Sequence, residues 1–137
     1  MGDSELTHYE VSASRVSPKR TRVDTGDAAF VVGKDVNPVE YFLGSVLACL
    51  NSTATMVARD MDIDIESLEA TVESDVNYAA YRGEESDDRP GLQGLEVSLS
   101  VDADDDADLD AMLAAVKDRC PVTDNVENET GLSVTLA

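Results

Sequence analysis

The sequence predicts an α+β fold in which antiparallel sheets surround one long central helix. Three observations predict it: β-rich runs broken by short turns near the N-terminus, a capped apolar stretch from Pro38 to about Met61, and a later pair of runs alternating at period two. Strands and helices follow one another without the regular strand–helix–strand alternation of a parallel sheet, which places the chain in the α+β class. Its 137 residues, 42% of them hydrophobic, suit one domain over 1–137. Aromatics make up only 4% and Trp is absent, so the core must be filled by Val, Leu, Ala and Met, and so thin a filling points to burial shared between two subunits.

The elements follow in order. Leu6–Val16 alternates loosely, Pro18 punctuates its end, and Thr21–Gly33 gives two strand-like runs broken at Thr25-Gly26-Asp27, together an antiparallel N-terminal sheet. Asn37-Pro38-Val39-Glu40 then reads as a helix start, with Asn capping, Pro at the first helical position and Glu at the third reaching back. The first half of this helix is apolar on most sides, as a helix buried nearly all round would be. Ile65–Tyr81 and Leu92–Val101 should pair as a hairpin across an acidic turn. A second helix, Ala107–Arg119, starts within an Asp-rich run and turns Leu109, Met112, Leu113 and Val116 inward. Pro121 ends that helix and opens a short one to about Glu127, and Leu132–Leu136 reads as a terminal strand.

Charge narrows the partners. Asp and Glu number 29 against 10 Lys and Arg, a formal net charge of −19, so neither a nucleic-acid backbone nor an anionic membrane surface is an expected partner. At molar salt the Debye length falls to about 3 Å, which relieves such self-repulsion, and the balance reads as that of a halophile's protein. The N-terminus lacks a basic region followed by an apolar run, no window approaches 18 uninterrupted apolar residues, and a cytoplasmic location is expected.

Chemistry-bearing residues are few. The only histidine, His8, stands far from either cysteine, so no metal site is expected, and no glycine-rich loop offers a nucleotide a cradle. No cofactor is expected. Cys49 falls mid-helix between Ser45 and Thr53, beside the small residues Gly44 and Ala48; by itself it reads equally as a small core residue. Cys120 precedes a Pro-initiated helix with Arg119 beside it, where free N–H groups and a cation stabilise a thiolate, so local physics makes it the more acidic thiol.

Two segments change this picture. NPVEYFLGSVLACLNSTATMVARDMDI and RCPVTDNVENETGLSVTL, each around one cysteine and in that order, resemble the OsmC/Ohr family, and SPKRTRVDTGDAAFVVG looks like that family's N-terminal sheet. The resemblance implies an OsmC-like fold in an intertwined homodimer with sites at the subunit interface. It also implies a thiol peroxidase for organic hydroperoxides. Cys49 would attack the O–O bond and become a sulfenic acid, Cys120 would condense with it to a disulfide, and a dithiol reductant, in some members a lipoyl protein, would restore both thiols. Active members hold the thiolate with an Arg oriented by a Glu; the matching candidates are Arg20 or Arg22, with Arg15 behind them, and Glu40. Their Glu directly follows the Pro, where this chain has Val39, and Glu40 lies nine positions from Cys49 on the opposite side of the helix, as befits a cap. Phe42, Val46, Leu50 and Met56 are the expected lining of an apolar interface pocket favouring alkyl peroxides. The contrasting reading is a redox-responsive or small-molecule-binding protein that keeps the fold without the activating Arg–Glu pair.

Overall fold

The computed structural model describes residues 5–137, which divide into two compact units, one up to Gly44 and one spanning Ser45–Ala137. In the first unit, β1 (Ser12–Ser17), β2 (Arg20–Asp24) and β3 (Ala29–Val32) form an antiparallel sheet in that order. Pro18 lies in the β1–β2 turn, and the register slips between Arg15 and Ser17. The β2–β3 turn is closed by the Asp24 carboxylate accepting from Gly26 N–H at 2.8 Å and by Thr25 N–H donating to Ala28 C=O at 2.9 Å. Gly33 has φ 94°, and a Cβ there would run into the Lys19 carbonyl, so only glycine lets β3 leave the sheet at this point. Leu6, Tyr9 and Val11, expected within the first strand, precede it and are exposed.

The long helix α1 (Pro38–Asp60) starts in the first unit, and most of its length belongs to the second. Its start is a reciprocal capping box: the Asn37 side chain accepts from Glu40 N–H at 2.8 Å, and the Glu40 carboxylate accepts from Asn37 N–H at 3.0 Å. Its end is a Schellman-type stop, with Ile63 N–H reaching back to Ala58 C=O and Asp62 taking the left-handed position at φ 59°. By length and composition this helix could cross a membrane, although it contains no long uninterrupted apolar run; only a third of its apolar window is buried. One stripe, Val46, Leu50, Thr53, Ala54, Val57 and Ala58, is buried, while Tyr41, Phe42 and Met56 are exposed. The expected burial on nearly all sides is therefore not met by one chain, whose remaining elements cover a single face.

In the second unit β4 (Ile65–Glu73) pairs antiparallel with β5 (Glu96–Ala103). The hairpin is shorter than its alternating pattern. Past Glu73 only the Val76–Leu92 bridge continues the pairing, because the Asn77 side chain accepts from Ala79 N–H at 3.0 Å and turns Tyr78–Arg82 out of the ladder. Helix α2 (Leu109–Arg119) is capped by Asp108, whose carboxylate accepts from Ala111 N–H at 3.1 Å. Cys120 is extended, φ −78° and ψ 115°, as a residue before proline should be, and Pro121 opens α3 (Pro121–Glu127).

The core packs the stripe of α1 against Met112 and Val116 of α2 and against Cys120, with Leu68 and Val101 of the hairpin around it. Leu109 and Leu113, expected to face inward, are 37% and 40% exposed, so α2 contributes a narrower face than its apolar residues suggest. The expected strand Leu132–Leu136 does not form: these residues belong to no strand or helix, and Leu132, Val134 and Leu136 are exposed. An alternating pattern needs a neighbouring ladder, and this chain offers none there.

Met112 is 2% exposed at the centre of this packing, so Met112→Ala should lower unfolding stability by about 2–5 kcal/mol in denaturant titrations. Among the described residues three ion pairs form, Arg22–Asp24, Arg82–Glu84 and Arg119–Asp60, all exposed, and they offset little of the −19 charge. The melting temperature should accordingly rise steadily as KCl is raised towards molar concentration.

Candidate active site

The second unit brings the two cysteines together from positions 71 apart in sequence. Cys49 shares a face of α1 with Val46, Leu50 and Thr53, the three- and four-residue spacing that stacks side chains along one side of a helix. Its Sγ lies 3.9 Å from the Thr53 hydroxyl. Cys120, at the break between α2 and α3, meets that face where the core closes. Both thiols are free; Cys120 is 2% exposed and Cys49 only partly buried.

Burial alone would raise the Cys120 thiol. Hydrogen bonds from the Thr123 hydroxyl and backbone N–H, from Cys49 and from Thr53 outweigh that, and the thiol lies below its ordinary value. The Thr123 N–H faces the sulfur at the third position of α3, and the one proton of the Thr123 hydroxyl has two acceptors within reach, that sulfur and the Cys120 carbonyl at 3.3 Å. Arg119, adjacent in sequence, turns away: its guanidinium pairs with Asp60 at 2.9 Å, bracing the end of α1 against the end of α2. The Cys120 thiolate is thus favoured by neutral donors.

A cavity of about 380 Å³, lined by neighbours of the thiols and by neither sulfur, has apolar walls from Val46, Leu50, Leu95, Leu99 and Val126, with Lys117 and Glu127 as its charged residues. Thr123 lines the cavity as well as bonding Cys120, so one side chain links the two. Of the expected pocket residues, Val46 and Leu50 line this cavity, whereas Phe42 and Met56 do not. The walls come instead from β5, α2 and α3, whose approach to α1 no local pattern specified.

The other candidates are placed as follows. Arg20 and Arg22 are exposed on β2 in the first unit, Arg22 pairing with Asp24 at 3.5 Å; Arg15 is exposed on β1. The Glu40 carboxylate is engaged in the capping box of α1. His8 is exposed, and no group of three or more potential metal ligands occurs among the described residues. Thr53 and Thr123 carry no functional signal in the sequence, since a threonine in a helix has no chemical signature until its neighbours are known.

Fold and thiol pair together define a protein of the OsmC/Ohr class. Residues 32–135 match the family described as OsmC-like protein, and the chain belongs to that family. Comparison with curated protein sequences gives no match. Among solved structures, an OsmC-like protein from Mycoplasma pneumoniae is similar at TM-score 0.77 and 16% identity, covering 90% of this chain and 89% of that one. The organic hydroperoxide resistance protein OhrB of Bacillus subtilis is similar at TM-score 0.58 and 18% identity, over 91% and 94%. An organic hydroperoxide resistance protein from Elizabethkingia anophelis gives TM-score 0.63 and 16% identity, over 93% of each chain. At these identities the likeness is one of fold.

The lowered Cys120 thiol has a measurable consequence. Between its folded pKa and the unfolded cysteine value near ~8.5, the unfolded chain binds more protons than the folded one, so stability rises with pH across that window. The contribution is complete above the unfolded value and is lost as pH falls through the folded one. Denaturation midpoints measured through this range should show the rise in the native chain and its loss in Cys120→Ser.

Proposed function

We propose that this protein is a thiol peroxidase that reduces organic hydroperoxides through Cys49 and Cys120. One observation carries the reading: the two cysteines stand side by side, and Val46 and Leu50 next to Cys49 and Thr123 next to Cys120 form part of the wall of an apolar cavity. The family supports it, as do structural neighbours that are organic hydroperoxide resistance proteins. Cys49, the more accessible thiol, attacks the terminal peroxide oxygen; the O–O bond breaks, Cys49 becomes a sulfenic acid, and the departing alkoxide takes up a proton as the alcohol. The Cys120 thiolate then attacks the Cys49 sulfur, a disulfide forms, and hydroxide leaves as water. An external dithiol, for instance a lipoyl protein, reduces the disulfide by two exchanges and is itself oxidised. Apolar walls favour alkyl hydroperoxides over hydrogen peroxide.

The same reading includes a homodimer in a reducing cytoplasm. Exposed Phe42 and Met56 on α1, and the unpaired Leu132, Val134 and Leu136, are apolar surface of the kind a second copy covers. A second reading, a redox-responsive or ligand-binding protein without turnover, draws on Glu40: its carboxylate caps α1 and is engaged there rather than with an arginine.

Reduced protein in concentrated KCl, mixed with one equivalent of cumene hydroperoxide, should yield a Cys49–Cys120 disulfide by peptide mapping. Cys120→Ser should stop at a Cys49 sulfenic acid that dimedone traps, and Cys49→Ser should leave Cys120 reduced. Thiols that stay reduced at stoichiometric peroxide would remove the peroxidase reading. Oxidation without turnover in the presence of a dithiol would favour the sensor.

A further inference from the structure

Of the three ion pairs among the described residues, two join residues two positions apart, Arg22 with Asp24 and Arg82 with Glu84. The third joins residues 59 positions apart, Arg119 with Asp60. Asp60 is the last residue of α1 and Arg119 the last of α2. No residue of opposite charge stands three or four positions from either, and an acid at the C-terminal end of a helix opposes the helix dipole. The local sequence thus gives Asp60 no reason to be there, and the fold gives it Arg119. We propose that Asp60 and Arg119 are positioning residues that hold the corner carrying Cys120 against α1, so that the Cys49–Cys120 disulfide closes with little rearrangement and resists reduction. The inference deepens the peroxidase reading and rests on it for its catalytic meaning.

The placement along α1 is what makes the pair relevant to the thiols. Eleven residues separate Cys49 from Asp60, so at 100° per residue the two point within about 20° of each other, about 16 Å apart along the axis. Both stand at one edge of the buried stripe, which accounts for a partly buried Cys49 and an exposed Asp60. On the facing element Arg119 and Cys120 are consecutive and their side chains part. The sulfur turns into the core against which Cys49 packs, and the guanidinium runs along α1 to the Asp60 carboxylate at 2.9 Å. The corner between α2 and α3 is therefore held to one edge of α1 at two points. Two attachments fix its tilt, where one would leave it free to pivot.

An exposed pair of this kind adds little to global stability. Its effect falls on the thiols, because the effective concentration of one sulfur at the other depends on how narrowly the corner is held. In the resolving step the Cys120 sulfur bonds to the Cys49 sulfur and hydroxide leaves; a corner already in place has less freedom to lose. The contact is no longer than the Debye length of about 3 Å at molar salt, so KCl that relieves the long-range repulsion screens it far less.

In glutathione buffers at molar KCl the disulfide exchanges with two glutathione thiols, giving two free cysteines and one glutathione disulfide. Alkylation and mass spectrometry of the equilibrated protein read the exchange constant. Asp60→Asn and Arg119→Gln should each shift it towards the reduced form about two- to fivefold, with native circular dichroism because both side chains are exposed. One variant removes an anion and the other a cation, so an effect of charge on the thiols would move them in opposite directions, and a loss of position moves them in the same one. The double variant should lose no more than either single one, as the members of one pair do. A native constant in either single variant, shifts of opposite sign, or losses that add in the double variant would each overturn the proposal. The exchange uses no peroxide, so a chain that never reduces one can still pass or fail it, and a native constant in the variants leaves the peroxidase reading standing.

Discussion

The buried stripe of α1 against α2 is the constraint on which the second unit depends. Val46, Leu50, Ala54 and Val57 present small and medium apolar side chains at three- and four-residue spacing, and Met112 and Val116 fill the groove they leave. Close approach is possible because alanines and a threonine alternate with the larger side chains on α1. The Arg119–Asp60 pair spans the ends of the same two helices. Once α2 is fixed on α1, the end of α2 is fixed too, and with it the position of Cys120.

Everything at the candidate site follows from that docking. Pro121 forces Cys120 out of helical geometry, and the break turns its sulfur into the core. There it meets Cys49 and Thr53 from α1, while α3 brings Thr123 back over it. The thiol is enclosed yet acidified, because several weak donors together exceed the desolvation that burial imposes. The cavity is a by-product of the same arrangement, walled where α1, β5, α2 and α3 meet around side chains too small to fill the space. With so few aromatic residues in the chain, such a space is left open.

Arginine and glutamate are prominent in the resemblance to the OsmC/Ohr family, and here they are otherwise engaged or belong to the other unit. Glu40 closes a helix cap, a role explained by its spacing from Asn37 alone. Arg22 pairs with its own strand neighbour, Asp24. What surrounds the thiols in the second unit is an environment of hydroxyls and aliphatic groups.

The sequence by itself determined what depends on neighbours within a few residues. The capping box at Asn37–Glu40, the turn at Thr25–Asp27, the Asp-capped second helix and the proline break after Cys120 all rest on side chain-to-backbone bonds or steric rules of short range, and each was legible before any fold was known. The family was legible as well, because both cysteine contexts carry it. What only the tertiary structure decided are relations across distance. These include the meeting of Cys49 and Cys120 and the placing of Thr53 and Thr123 next to them. They also include the diversion of Arg119 to Asp60 and the walling of the cavity by residues of β5, α2 and α3 together with Val46 and Leu50 of α1. The alternation of Leu132–Leu136 marks a strand that finds no ladder within one chain, and Tyr78–Tyr81 leaves its hairpin for an asparagine-led turn. Periodicity fixes which face of an element is apolar; which partner covers that face is set by how helices and strands pack, and no local pattern contains it.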